Sequence, residues 1–222
     1  MSGTNKCTGN CLATIADGYV SINEILSHVG ARDGTTGTDA NTTGASKDTA
    51  IQYGFIKSKW HISRAFYVFN TSGITSSYTV DNASLYIRGF SKSSGSIIVV
   101  KSTYDGSSAL ATSNYNDLDF NTNYSDEFPS WSTSVYNVIP LNAQAKADMV
   151  TNSTISFAVI NYDYDYKNTS STSTQENGSY FTEQAGTGYD PELGYVMSLV
   201  PSEAPLRLKS GVTVIKSGLI TI

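Results

Sequence analysis

The segment at residues 60–90 constrains the fold of this chain more than any other part of its sequence. Residues 64–69 show the period-two alternation of a β-strand, in which successive side chains point to opposite faces. The two faces would carry Ala65, Tyr67 and Phe69, and Arg64, Phe66 and Val68. Turn residues follow at 70–73, and a second alternating run occupies residues 83–90. The side chains that share one face of this second run are Ala83, Leu85 and Ile87. Two long strands need a partner sheet to cover their apolar faces, so the pattern predicts a β-sandwich.

The composition agrees with an all-β protein that has many turns. Only 15% of the 222 residues are charged, whereas Ser, Thr, Asn, Gly and Tyr are abundant. This mixture also suits an extracellular or virion surface. The formal net charge of -5 and the lack of a Lys and Arg cluster argue against a nucleic-acid partner. No stretch has the length and apolarity of a transmembrane helix, so no membrane partner is predicted.

The first 17 residues are small and polar, and we interpret them as an N-terminal arm. They contain no apolar run of signal-peptide length, which leaves two alternatives. Either a leader has been removed from the chain, or the protein is made and assembled in a cytoplasm, as a virus structural protein would be. Cys7 and Cys11 are the only cysteines, and a disulfide and two free thiols both remain open. A zinc site is disfavoured because it needs about four ligands.

The remaining pattern predicts about eight strands and two short helices, and the class is all-β. Expected strands are at 49–57, 64–69, 83–90, 97–100, 134–141, 154–160, 180–183 and 193–200. A capping box at 21–24 predicts a helix, with a strand at 18–22 as the alternative. Asn142 predicts the cap of a second helix at 143–150. Residues 31–47, 109–120 and 162–177 are expected to be loops, the second with a helical turn. The simplest architecture is an antiparallel jelly-roll-like sandwich at residues 18–200.

The last segment, residues 201–222, is a C-terminal β tail with an internal repeat. Two units, 209–215 and 216–222, each consist of a Lys-Ser-Gly turn followed by a short β-prone run. The apolar side chains of these runs are Val212, Val214, Ile215, Leu219, Ile220 and Ile222. Two such short runs cannot bury their own faces. We therefore expect them to pair with the edge of the domain or with another subunit, as an assembly segment.

The most distinctive polar stretch is Tyr162, Asp163, Tyr164, Asp165 and Tyr166. Strand-like alternation would place the three tyrosines on one side and the two carboxylates on the other. Tyrosine rings stack on sugar rings, and carboxylates bind hydroxyl groups or Ca²⁺, although no cofactor is predicted. The alternative is an exposed strand end without a ligand.

Trp131, together with Phe128, is a second candidate for ligand binding. The alternative for Trp131 is a loop aromatic that covers the core.

Catalytic chemistry is not predicted. The sequence has two histidines, His28 and His61, and it contains no nucleophile-elbow motif in which one of them could activate a serine. Two carboxylate pairs, Asp117 with Asp119 and Asp126 with Glu127, leave a glycosidase site open from the residue types alone. Solvated loop acids are the simpler interpretation, so we expect the protein not to be an enzyme.

Five short motifs, in order along residues 18–200, resemble one family. Arg64, Phe66, Phe69, Thr71, Ser72 and Ile74, then Ala83, Leu85 and Ile87, form the principal motif, and the others are at 31–37, 110–115, 136–142 and 189–193. The pattern resembles the disaggregatase-related, carbohydrate-binding-like β-sandwich modules. The resemblance implies a sandwich used for surface attachment, in secreted polysaccharide-active or adhesive proteins and in structural proteins of tailed phages.

These observations predict a non-enzymatic virion structural protein of a tailed bacteriophage. It would be a capsid decoration, head-fibre or tail surface subunit on the virion surface, assembled in the host cytoplasm. Expected partners are other virion proteins, further copies of the chain and host cell-surface glycans. The alternative hypothesis is a secreted carbohydrate-binding or adhesive module in the extracellular space.

Overall fold

The computed structural model describes residues 7–12, 17–41, 47–182 and 188–201. Within these ranges the chain forms twelve strands. They are β1 Cys7–Leu12, β2 Gly18–Ile25, β3 Asp39–Asn41, β4 Lys47–Ile56, β5 Lys59–Asn70, β6 Tyr78–Lys92, β7 Ile97–Ser102, β8 Leu118–Asn123, β9 Tyr136–Pro140, β10 Thr154–Asn161, β11 Gln175–Tyr180 and β12 Glu192–Leu199. The helices are α1 His28–Arg32 and α2 Ala143–Thr151, with a 3-10 turn at Thr112–Asn116 and a π turn at Tyr162–Tyr166.

The strands build two layers, and every strand pair in the described ranges is antiparallel. One layer has the order β1-β12-β6-β9. In the other layer β5 pairs with β2, β4 and β10, and β7 and β8 continue outward from β10. β11 joins β4 to the far end of β6, so the two layers are continuous. The predicted all-β antiparallel class is confirmed, whereas the jelly-roll strand order stays a prediction.

β5 is the central strand, and it is buried on both faces. Ala65, Tyr67 and Phe69 lie in the first core cluster, between the two layers, together with Leu85 and Ile87 of β6. The predicted alternation of both strands is therefore confirmed. The apolar run at Ile97–Ser102 is also a strand, and it lies inside the sheet between β10 and β8.

A second core cluster covers the opposite face of β5. Phe66 and Val68 pack there with Tyr104, Tyr115 and other residues of the connections between strands. These connections looked irregular in the sequence, but they bury several large aromatic side chains. The sandwich consequently has a third packed layer, which the strand pattern alone did not predict.

Two local helix signals had different outcomes. The helix predicted from the capping box is wrong, because residues 21–24 belong to β2, as the alternative interpretation had it. Val20 and Ile22 gain complete burial by pairing with β5, and this tertiary gain exceeds the local capping preference. Helix α1 begins later, and the Ser27 hydroxyl caps it by accepting the Gly30 N–H at 3.0 Å.

The second helix is confirmed at Ala143–Thr151, capped by Asn142, whose Oδ1 accepts the Ala145 N–H at 3.0 Å. Among the described strands, its neighbour β9 pairs only with β6, as predicted for an edge strand.

The three predicted loops and one predicted strand have other bounds in the structure, and the loop expected at 109–120 includes the start of β8 at Leu118. Residues 31–47 contain the end of α1 and the short strand β3. The strand expected at 180–183 lies earlier, as β11 at Gln175–Tyr180, so the loop expected at 162–177 is shorter. β11 was missed because its residues, Gln-Glu-Asn-Gly-Ser-Tyr, are mostly polar, yet it is buried between β4 and β6.

Residues 7–12, predicted as part of an arm, pair with β12 as β1. The C-terminal assembly residues and the cysteine side chains lie outside the described part of the chain. Within that part, no helix combines the length and the apolarity that crossing a membrane requires.

Candidate functional site

The candidate site is organised around the π turn that directly follows β10. Asn161 caps this turn, since its Oδ1 accepts the Tyr164 N–H at 2.9 Å. The Tyr162 N–H donates to the carbonyl oxygen of Ser96 at 2.9 Å, which fixes where the turn leaves the sheet. Because the five residues wind instead of extending, the strand-like alternation of tyrosines and carboxylates is wrong.

A buried ion pair holds the turn against β5. Both Arg64 and Asp165 have side chains with 0% exposure. Their contact is bidentate, with Arg64 Nε 2.9 Å from Oδ2 and Nη2 2.8 Å from Oδ1 of the carboxylate. Arg64 also donates to the carbonyl oxygens of Tyr115 at 3.0 Å and Arg32 at 2.6 Å. Burial, the largest single effect, acts to lower the pKa of Arg64, but the Asp165 carboxylate together with Tyr115 and Asp33 raises that pKa overall, so the guanidinium stays charged.

Arg32, in the last turn of α1, reinforces the same junction. Its Nε donates to the carbonyl oxygen of Asp165 at 2.7 Å, and its guanidinium lies 3.9 Å from the centre of the Phe120 ring. The Tyr115 hydroxyl donates to the carbonyl oxygen of Ala31 at 2.7 Å. Side-chain hydrogen bonds therefore connect α1, the 3-10 turn, the π turn and β5. These contacts restrict the backbone of the π turn, which carries the three tyrosines.

Five partly exposed aromatic residues lie on this junction, and we call them the aromatic surface: Phe55, Trp60, Tyr162, Tyr164 and Tyr166. The rings of Tyr162 and Tyr166 stack with centres 5.7 Å apart and planes 16° apart. The rings of Phe55 and Trp60 lie 4.6 Å apart.

Tyr53 connects the two parts of the aromatic surface. Its ring lies 4.7 Å from that of Tyr164, and its hydroxyl accepts the indole N–H of Trp60 at 3.1 Å. The same hydroxyl donates to the carbonyl oxygen of Ser171 at 3.2 Å and accepts that residue's N–H at 2.9 Å. The aromatic surface is thus supported by buried contacts underneath it, and its five side chains are partly exposed.

The other predicted ligand residues have structural contacts. The Asp165 carboxylate is buried in its ion pair with Arg64. Asp163 Oδ2 accepts a hydrogen bond from Gln175 Nε2 at 3.0 Å. Trp131 is only 3% exposed, lies in the first core cluster and donates to the carbonyl oxygen of Ser91 at 3.2 Å. The structure thus brings the three tyrosines together and places Trp131 in the core, as the alternative interpretation had it. Across the described ranges, no group of three His, Cys, Asp or Glu residues has the geometry of a metal site.

Sequence reasoning missed the contributions of Tyr53, Phe55, Trp60 and His28. His28 is 8% exposed, and its ring lies 5.7 Å from Tyr53 and 6.4 Å from Trp60. Burial lowers the pKa of His28, against a smaller raising effect of Asp165. The sequence does show that the β4–β5 hairpin is rich in aromatic residues. Only the fold shows that this hairpin contacts the turn at residues 162–166.

Three of the four carboxylates considered for catalysis, those of Asp117, Asp119 and Glu127, accept hydrogen bonds from nearby side chains or backbone. Asp119 accepts the Thr122 hydroxyl at 2.6 Å and the Asn121 N–H at 2.9 Å, and these hydrogen bonds lower its pKa. Asp117 accepts from Asn114 Nδ2 at 2.6 Å, and Glu127 accepts the Ser96 hydroxyl at 2.6 Å. A groove of about 430 Å³ lies elsewhere, between residues 101–105 and 151–156.

No protein-family model matches the sequence, and neither does any curated protein. The chemistry of the aromatic surface therefore has to be inferred from its own residues.

Proposed function

We propose that the chain is a non-enzymatic structural subunit on the virion surface of a tailed bacteriophage, which binds host glycans through its aromatic surface. The observation that carries the glycan-binding part is the rigid, partly exposed set of rings at Trp60, Tyr162, Tyr164 and Tyr166. Pyranose rings expose flat C–H faces, and aromatic side chains with a polar tip suit both these faces and the surrounding hydroxyl groups.

Preorganisation supports this proposal. A binding surface that is already ordered loses less conformational entropy when a ligand arrives. The tyrosines are carried by a turn whose backbone is anchored by the Arg64–Asp165 ion pair and by the Asn161 cap. The Lys167 ammonium lies 4.2 Å from the centre of the Tyr162 ring. An uncharged glycan suits a surface made almost entirely of rings and hydroxyls.

The virion part of the proposal rests on the family resemblance of the motifs and on the predicted pairing of the C-terminal tail. The alternative, a secreted carbohydrate-binding or adhesive module, draws on the same aromatic surface. The two differ in location and in assembly, since only a virion subunit belongs to a particle.

Glycan binding is tested by a glycan array with the parent chain and the variant Tyr164→Ser. We expect the variant to bind more weakly than the parent, because the ring that lies against Tyr53 is removed. Tyr78→Ser removes a partly exposed tyrosine from the other layer, and this control should bind like the parent. Equal binding by the parent and by Tyr164→Ser would show that the aromatic surface is not the glycan site.

Virion assembly is tested by density-gradient purification of particles from an infected host culture. We expect the chain to co-migrate with capsid and tail proteins and to be labelled on the particle surface by an antibody. Recovery of the chain only as a free secreted monomer would favour the alternative.

A further inference from the structure

The outer face of β6 presents a second group of aromatic residues, on the far side of the first core cluster from the aromatic surface. Tyr86 and Arg88 alternate there with buried core residues, so their side chains point away from the core. In the strand register Arg88 lies opposite Tyr136 of β9, and Tyr86 lies opposite Glu192 of β12. These side chains share one face of the sheet.

The rings on this face are held in defined positions. Tyr86 and Tyr136 meet edge to face, with ring centres 6.5 Å apart. The Tyr136 hydroxyl lies 2.7 Å from the carbonyl oxygen of Gly188 and 3.0 Å from that of Asp190, and it donates to them. Burial, followed by the carboxylates of Glu192 and Asp190, raises the pKa of Tyr136, so its hydroxyl remains a proton donor at neutral pH.

Arg88 is the unusual residue of this face. Its guanidinium lies 4.7 Å from the centre of the Tyr189 ring, and the ring of Tyr180 supports Tyr189 at 4.9 Å. Its Nε is buried and has no hydrogen-bond partner in the described part of the chain. None of the ion pairs found there includes Arg88 either. Arg88 as a whole is partly exposed, and a guanidinium has five N–H donors, so its terminal N–H groups can donate to a ligand with acceptor atoms.

Uncharged polar groups and a shallow depression complete this face. A cavity of about 210 Å³ lies beside Tyr86, lined also by Asn82, Ser84 and Gly194. Gly194 has no side chain, so a ligand in this cavity would contact the backbone there. Asn82 supplies both a donor and an acceptor, and Ser84 supplies a hydroxyl.

We propose that this outer-face site, composed of Asn82, Ser84, Tyr86, Arg88, Tyr136 and Tyr189, binds a neutral saccharide. Its rings offer stacking faces, Arg88 donates to ring or hydroxyl oxygens, and Asn82 exchanges hydrogen bonds with hydroxyl groups. The carboxylates of Glu192 and Asp190 act on Tyr136 of this face, which disfavours acidic saccharides and other polyanions. The inference rests on the proposed glycan-binding function for its ligand class and adds a separate site, so a single chain would bind glycans on both outer faces.

The test is an NMR titration of the full chain with ¹³C-labelled tyrosine rings, assigned by single Tyr→Phe variants. The probes are maltotriose, cellotriose and mannotriose, with tetragalacturonate as the acidic counterpart. At least one neutral trisaccharide should shift the Tyr86 and Tyr136 signals, and tetragalacturonate should bind more weakly. Arg88→Gln should weaken this binding about tenfold, the effect of losing one or two charge-assisted hydrogen bonds. Lys92→Gln removes the same charge from the same strand and should change the affinity by less than about twofold.

The outcomes separate the two sites. Shifts confined to Tyr162, Tyr164 and Tyr166 would overturn the outer-face site and leave the proposed function intact. Shifts confined to Tyr86 and Tyr136 would support the outer-face site and remove the aromatic surface as the glycan site. No shift with any neutral trisaccharide, tighter binding of tetragalacturonate, or an unchanged affinity of Arg88→Gln would each overturn the inference.

Discussion

Replacing Asp165 with Asn should destabilise the protein more than almost any other substitution of a polar residue. The change leaves the guanidinium of Arg64 charged and fully buried, with two of its hydrogen bonds directed at a neutral amide. Removing one partner of a buried ion pair costs about 3–5 kcal/mol, because the remaining charge is uncompensated. Against a typical free energy of unfolding of about 5–15 kcal/mol, this is a large fraction of the stability.

Urea unfolding of the full chain, followed by tryptophan fluorescence, measures the effect. With a urea dependence of about 2 kcal/mol/M, the midpoint should fall by roughly 1.5–2.5 M. A matched control is Glu24→Gln, which breaks the exposed pair in which Lys59 Nζ lies 3.1 Å from the carboxylate. That midpoint should stay unchanged, since solvent screens the exposed pair.

The double variant Arg64→Met with Asp165→Leu separates buried charge from lost packing. Apolar residues of similar volume often replace a buried ion pair without loss of stability, so this variant should recover much of the midpoint. A midpoint of Asp165→Asn within about 0.3 M of the parent would refute the reasoning, because it would mean that water reaches Arg64.

Three further predictions concern the core, one histidine and the tail. Phe69→Ala should cost about 3–5 kcal/mol in urea unfolding, as expected for a buried aromatic residue, and a loss below about 1 kcal/mol would contradict the position of β5. The lowered pKa of His28 means that the unfolded chain binds its proton more readily, so stability should fall as the pH drops below about 6.5. His28→Gln should flatten this pH dependence and His61→Gln should keep it, as followed by thermal melts between pH 5 and pH 8. Truncation after Ser202 should leave the melting temperature unchanged but abolish oligomerisation if the tail pairs with a neighbouring subunit, and a large drop in melting temperature would contradict that assembly role.

Local signals predicted the elements whose side chains alternate regularly. The alternation in β5 and β6, the apolar run of β7 and the Asn142 cap of α2 each depend on neighbouring residues, and each was confirmed. The capping box at residues 21–24 gave a wrong prediction because the structure of this segment depends on its pairing with β5, not on its neighbouring residues. Its local preference is worth about 1 kcal/mol, which is less than the burial that Val20 and Ile22 gain beside β5.

The candidate site was only partly predictable, because its main interaction joins distant residues. Arg64 and Asp165 are 101 positions apart, and nothing in the sequence pairs them. The tyrosines were identified from their density in one segment, but their geometry came from a winding turn that a strand pattern does not describe. Trp131 illustrates the opposite error, since an aromatic residue in a loop is as suitable for covering a core as for binding a ligand.

The same ion pair links stability to the proposed binding function. The aromatic surface takes its rings from the β4–β5 hairpin and from the π turn, and the contacts between these two segments pass through Tyr53 and β5. Loosening the π turn would let Tyr164 move away from Tyr53 while Phe55 and Trp60 stayed in place. Substitutions at Asp165 should therefore weaken glycan binding even though no ligand reaches its buried carboxylate. The outer-face site is attached to β6, β9 and β12 instead, so its affinity should be insensitive to the same substitutions.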